Sequence, residues 1–144
     1  MEDLGRAVEL LKKHEIRWVH STFVDIRGLM QDVVIPAKQY FEGPAFTAGI
    51  GFDGSSIRGF KQIHESDMIF KPDPKTLAII PWTSDAKQKS AVVIGDIYEA
   101  YGGKEPSDVC PRGYVAKRAV KEAEEMGFTS CFGPELEYFV FTSV

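Results

Sequence analysis

The chain is poor in cysteine: Cys110 and Cys131 are the only two in 144 residues. Two thiols form neither a disulfide framework nor a cysteine metal knuckle, and both are expected to be buried structural thiols in a reducing compartment. No apolar run approaches the roughly 18–20 residues of a transmembrane helix. The N-terminus opens on acidic residues and an amphipathic pattern, unlike a secretory leader, so a cytoplasmic location is expected. Positive charge is also in deficit. Seventeen Lys and Arg stand against 21 Asp and Glu, a net charge of −4, which argues against a nucleic-acid surface. His14, His20 and His64 are scattered, and no Ser/His/Asp or Cys/His set follows from spacing. His64-Glu65 opens like a zinc-protease helix, but Met68 stands where its second histidine belongs. No internal repeat or low-complexity tract occurs.

What is present has globular proportions, with 44% hydrophobic and 26% charged residues. Leu4, Ala7, Val8 and Leu11 recur at helical spacing, predicting a helix over 3–14 with Asp3 as its N-cap. Residues 17–26 are β-branched and aromatic and predict a strand. Arg27-Gly28 supplies a turn, and 29–35 reads as the return strand of a hairpin. Pro36 ends it, and 37–42 can make a short helix. Residues 47–66, with Gly49, Gly51, Gly54 and Gly59, show neither helical nor strand period and read as an ordered but mobile loop. Three β-rich runs follow at 68–71, 77–81 and 91–98, with turns at Asp73-Pro74 and at 83–87.

Gly102-Gly103-Lys104-Glu105-Pro106 reads as a linker. After it Pro111 opens a helix whose apolar side is Val115, Ala116, Ala119, Val120, Ala123 and Met126. Arg118 with Glu122 and Lys121 with Glu125 are i,i+4 pairs on its wet side, and Gly127 stops it. Residues 129–141 read as a last strand. A helix and one strand cannot make a core, so the remainder of a second domain is expected elsewhere. Trp18, Trp82 and the phenylalanines are most simply core.

Three groups of residues could carry chemistry. Glu135 and Glu137, two apart on an extended segment, project from one face, and paired carboxylates suit a hard divalent cation such as Mg²⁺ or Mn²⁺. A solvated strand face accounts for a bare Glu-x-Glu as well, but Phe139 and Phe141 continue the same face, where unpaired charge is costly. Asp53, with Ser55 and Ser56 beside it and glycines around it, could bind a small cation. An Asp-Gly turn with capping serines is the simpler account from the residues alone. Gly49-Ile50-Gly51-Phe52-Asp53-Gly54 fits the dinucleotide pattern G-x-G-x-x-G. That pattern needs a helix behind its last glycine to face a pyrophosphate; none is predicted here, and Asp53 would repel phosphate.

Taken in order, Gly51-Phe52-Asp53-Gly54-Ser55-Ser56-Ile57, Glu65-Ser66-Asp67-Met68 and Gly133-Pro134-Glu135-Leu136-Glu137-Tyr138-Phe139 resemble bacterial-type (type I) glutamine synthetase across the whole chain. The resemblance implies an α+β fold: a β-grasp domain over 1–105, then the first helix and strand of an incomplete catalytic domain over 106–144. It implies L-glutamate, ammonium and ATP as substrates, two Mg²⁺ or Mn²⁺ sites, and a dodecamer of two hexameric rings with active sites between neighbouring subunits. Asp53 matches the aspartate donated across that interface to bind ammonium and help take its proton, and Ser56 lies on the same donated loop. Glu135 and Glu137 match the first metal-binding glutamates. Residues 1–144 alone are expected to be inactive. Arg58-Gly59-Phe60, with Phe60 where many relatives have tryptophan, is similar to the subgroup that is not adenylylated. Two alternatives stand beside this: a γ-glutamyl ligase acting on another amine, against which Asp53 argues, and a stand-alone β-grasp interaction module or decayed copy without catalysis.

Overall fold

A computed structural model of the chain describes residues 2–83 and 88–143. Helix α1 (Glu2–Lys13) buries Ala7 and Leu11 and turns its charged residues outward. Asp3 lies inside its first turn, not at its cap, where its charge still opposes the helix dipole favourably. Strands β1 (Trp18–Val24) and β2 (Met30–Pro36) form the expected hairpin, and α2 (Lys38–Phe41) follows. Next come β3 (Ile50–Asp53), β4 (Asp67–Pro72), β5 (Ala78–Ile79) and β6 (Ser90–Glu99). They make one six-stranded mixed sheet in the order β2-β1-β6-β4-β3, with β5 also on β6. The parallel pair β1–β6 runs through its middle, and its other pairings are antiparallel. With a helix crossing a mixed sheet, this is the expected α+β, β-grasp-like arrangement.

The core lies on one face of the sheet. Leu11, Val19, Phe23, Met68, Phe70, Val93 and Ile97 are fully buried there. Phe23 is its hub, with ring centroids 5.1 Å from Phe52, 5.9 Å from Phe60 and 6.2 Å from Phe70. Tyr40 on α2 shares a buried 2.6 Å hydrogen bond with Ser21 on β1. Burial of this phenol pushes its pKa up to about 12, although the bond to Ser21 pulls the other way.

The hairpin turn is organised by a residue the sequence reading passed over. Asp25 is buried, and its carboxylate accepts the backbone N–H of Arg27 at 2.8 Å and of Leu29 at 3.0 Å. It also accepts the Arg27 guanidinium at 2.8 Å and the Gln31 amide at 3.1 Å. Burial works against the charge, but Arg27, the two backbone donors and Gln31 outweigh it and hold the carboxyl at about 2, below the usual 3.8. A carboxyl with a depressed folded-state pKa stabilises the fold fully above its unfolded value, and that contribution is lost as pH falls through the folded value. Asp25→Asn is therefore expected to lower the urea midpoint at pH 7, with the gap to the parent chain closing between about pH 4 and pH 2. An equal gap at both ends of that window would refute the assignment.

Several expectations are corrected. Residues 47–66 contain a strand: Ile50 and Phe52 point inward and Gly51 and Asp53 outward, an alternation that the glycines hide in the sequence. The last strand does not form. Residues 128–141 carry no regular secondary structure and pair with nothing among the described residues, and a strand without a neighbour has unpaired backbone groups. Trp82 is 84% exposed on a 3₁₀ turn and Trp18 lies half-open at the start of β1, so neither is core. Cys110 is buried but Cys131 is exposed. The turn expected at 83–87 lies mostly on residues 84–87, outside the described residues.

The helix after Pro111 opens as a π-helical turn (Pro111–Ala116) and continues as α3 (Lys117–Glu125). Its expected apolar side is largely open, with Val115 and Met126 exposed. Lys121 pairs with Glu125 at 3.6 Å, but Arg118 lies over the Tyr114 ring at 4.5 Å instead of meeting Glu122. Gly127, at φ +86°, ends the helix as expected.

Candidate active site

The Asp53 turn is packed against the sheet and hydrogen-bonded to it. Phe52 and Phe60, on either side of it, both pack on Phe23, so strand alternation drives Asp53 to the opposite, solvent side. Behind Asp53 a single 3₁₀ turn (Gly54–Ser56) opens. The Gly54 N–H donates to the Ser66 carbonyl at 2.7 Å, pinning the turn to the start of β4. A side chain on Gly54 would sit 2.6 Å from the Met68 sulfur, so close packing, not only mobility, requires glycine here. One 3₁₀ turn is not the long helix a pyrophosphate site needs, and the dinucleotide reading stays rejected.

The Asp53 carboxylate caps this turn. It accepts the Ser55 N–H at 2.8 Å, the Ser55 hydroxyl at 2.6 Å and the Ser56 hydroxyl at 3.3 Å. The Ser55 hydroxyl and N–H lower its pKa most; slight burial opposes them, and Ser56 and Ser66 lower it further. The group is exposed and ionised at neutral pH. It can attract a cation from solvent while its orientation stays fixed. Asp53 and Ser56, singled out from sequence, are thus brought together, and Ser55 proves the stronger partner.

Next to this turn lies an open cleft lined by Lys61, His64, Glu65, Asp67, Glu99 and Tyr101. Lys61 pairs with Glu99 at 2.7 Å, and the Tyr101 hydroxyl donates to Asp67 at 3.4 Å. His64 is on its exposed rim, not in a metal helix.

Glu135 and Glu137 lie in the irregular segment 128–141, both exposed. The Phe139 and Phe141 rings lie beside each other, with centroids 6.3 Å apart. Neither carboxylate has an ion-pair or hydrogen-bond partner among the described residues. Two free carboxylates fit a hard divalent cation in donor type and supply part of its oxygen shell. Among the described residues no set of three or more His, Cys, Asp or Glu gathers into a metal centre. Among the described residues no hydrogen bond or ion pair joins this segment to the Asp53 turn.

The sequence reading also missed a cluster linking the sheet to the second helix. Arg112 donates to Asp73 at 2.6 Å and to Asp96 at 2.8 Å, and Lys117 reaches Asp96 at 2.5 Å. Partners 39 and 16 residues apart give no local signal.

Comparison with known proteins places these elements. The sequence model of the glutamine synthetase β-grasp domain matches residues 15–100, and that of the glutamine synthetase catalytic domain matches residues 108–144. A glutamine synthetase of Archaeoglobus fulgidus is 49% identical over 144 residues, which is 100% of this chain and 29% of that protein. One from Thermotoga maritima is 40% identical over 131 residues, covering 91% of this chain and 28% of its own length. Among solved structures, the electron cryomicroscopy structure of Plasmodium falciparum glutamine synthetase superposes with a TM-score of 0.72 at 21% identity, over 86% of this chain and 23% of that one. Ligand-free GmaS superposes with a TM-score of 0.70 at 20% identity, over 83% of this chain and 26% of that one. At such identities these superpositions speak for the fold alone. The chain spans less than a third of the length of the relatives it matches. Among the described residues no helix is long and apolar enough to cross a membrane. With its β-grasp sheet matched over residues 15–100 and the start of the catalytic domain following at 108, the chain belongs to the glutamine synthetase family.

Proposed function

We propose that this chain serves as the N-terminal part of a cytoplasmic glutamine synthetase subunit, of the subgroup that is not adenylylated. Its β-grasp domain covers 1–105, and its catalytic domain begins at 106. The reaction is ATP-dependent amide formation: L-glutamate is phosphorylated on its side-chain carboxylate, ammonia attacks the acyl phosphate, and phosphate leaves. The observation that carries the reading is the Asp53 carboxylate, ionised and exposed on a turn fixed from behind by two aromatic anchors and the Gly54–Ser66 bond.

Ammonia is mostly protonated at neutral pH, so an enzyme using it must hold the ammonium cation and withdraw a proton. An ionised Asp53 supplies the attraction. Ser55 and Ser56 keep its oxygens aimed and its pKa low. Proton acceptance by Asp53 from ammonium is therefore uphill and has to come before attack, because ammonium has no lone pair until it loses a proton. Attack of the freed ammonia on the acyl phosphate then draws the step forward. A γ-glutamyl ligase for a larger amine would have less use for a small, bare carboxylate here.

In an assembly of two hexameric rings, this turn faces the catalytic domain of the neighbouring subunit, whose closure keeps water from the acyl phosphate. Glu135 and Glu137 would hold Mg²⁺ or Mn²⁺, which when bound offsets charge on the transferring phosphoryl group. Residues 1–144 alone are expected to form no glutamine. In a full-length subunit, Glu137→Ala is expected to raise the Mg²⁺ concentration for half-maximal activity. The increase should be at least the roughly 10–100-fold that loss of a supporting outer-shell group costs. An unchanged Mg²⁺ requirement would remove Glu137 from the metal site.

A further inference from the structure

The stretch that follows the linker, residues 107–113, is held to the sheet by several contacts. The Ser107 N–H donates to the Ile97 carbonyl at 2.7 Å, and its hydroxyl donates to Glu99 at 2.7 Å. The Cys110 sulfur accepts the N–H of Ile97 at 3.3 Å and of Gly113 at 3.4 Å. Gly113 is buried, and a side chain on it would meet Pro106 at 2.7 Å and the Asp96 carboxyl at 3.0 Å. A glycine at 113 is what lets the helix start lie against β6.

Arg112 stands at the centre of this contact. Its two terminal nitrogens reach different parts of the sheet: Nη1 donates to Asp96 on β6 and Nη2 to Asp73, which directly follows β4. Asp96 is almost fully buried, and Lys117, one turn on, donates to its other oxygen. Both carboxylates are satisfied by cations from the same helix. For Asp73, burial opposes the charge, but Arg112 and the Lys75 N–H lower its pKa. A guanidinium can span two acids in a fixed plane, whereas an ammonium is a single point charge. Strands β4 and β6 are neighbours, and β4 also pairs with β3, which ends at Asp53.

We propose that Arg112 is a positioning residue. By bridging Asp73 and Asp96, it locks the start of the second helix at a fixed angle to the sheet that presents Asp53. The joint between the β-grasp sheet and α3 is rigid, and Gly102-Gly103 is not a hinge. The consequence for catalysis rests on the function proposed above: the Asp53 turn and the Glu135-Glu137 segment are oriented through this joint. The clamp itself does not depend on that reading.

The test uses the 144-residue chain with Cys131→Ser and spin labels at the exposed positions Gln62→Cys and Glu122→Cys, one by the Asp53 turn and one on α3. Pulsed electron resonance then reads the spread of distances between them. The expected result is one narrow distribution for the parent, at least doubled in width by Arg112→Met while the sheet still melts cooperatively. Arg112→Lys, which keeps the charge but reaches one acid, should fall between. If Arg112→Met does not fold, Asp73→Asn, which cuts one arm of the bridge, decides, and a broader distribution is again expected. An unchanged width in the folded variant would overturn the proposal. Because no synthetase activity is read, failure here would not bear on the proposed reaction, nor would failure of that reaction remove the clamp.

Discussion

Asp53→Ala in a full-length subunit carrying this N-terminal sequence is expected to lower ammonia-dependent glutamine formation by about 10²–10⁴-fold, the range a positioned proton-transfer group contributes. Alanine also removes the cap of the 3₁₀ turn, whose Ser55 N–H then loses its side-chain acceptor. Asp53→Asn separates the two effects. Asparagine keeps an oxygen for the Ser55 N–H but has no charge for ammonium. Both variants are expected to lose activity, with the loss concentrated in the dependence on ammonium and not on ATP. Full activity of Asp53→Asn would show that the charge is unnecessary and would end the role given to Asp53.

Phe23→Ala is expected to have the largest effect on stability. Its ring is 1% exposed and meets Phe52, Phe60 and Phe70. Large-to-small changes at such positions cost about 3–5 kcal/mol, a large share of the roughly 5–15 kcal/mol that holds a domain together. The same cavity frees both aromatic anchors of the Asp53 turn, so hydrogen exchange around Gly54 should rise first. Trp82→Ala is the control: a larger ring is removed, but one 84% exposed, and the change should stay within about 0.5 kcal/mol. Equal destabilisation by the two substitutions, measured by urea unfolding of the 144-residue chain, would contradict the core described here.

The elements with a clear period were legible in the sequence. Leu4, Ala7 and Leu11 gave α1, and the β-branched runs gave the hairpin, β4 and β6. Where period and environment part, the reading failed. Gly49 and Gly51 carry no side chain, so only Ile50 and Phe52 signal β3, and two residues make no pattern. Residues 129–141 have strand composition, but pairing is a property of neighbours, not composition. The hydrophobicity of Trp18, Trp82 and Val115 says nothing of which face an element turns to the core. Of the candidate site, the Asp53-Ser56 pair was visible because its members are close in sequence. Asp25 could have been found from Asp25-x-Arg27-Gly28, an aspartate preceding a glycine turn whose own backbone donors it can accept. Arg112 could not, because its partners, one on β6 and one just past β4, are brought together only by the fold.

The most direct test of the central reading, that Asp53 and Glu137 serve one active site built from two neighbouring subunits, is subunit mixing. At a Mg²⁺ concentration that only just saturates the parent enzyme, full-length Asp53→Ala and Glu137→Ala subunits are each expected to be nearly inactive alone. After dissociation and joint reassembly, some sites combine an intact Asp53 from one subunit with an intact Glu137 from its neighbour, and glutamine formation should reappear. If both residues act within a single subunit, no mixed assembly contains a complete site. A mixture as inactive as its components, with mixed assembly verified by mass, would contradict the account.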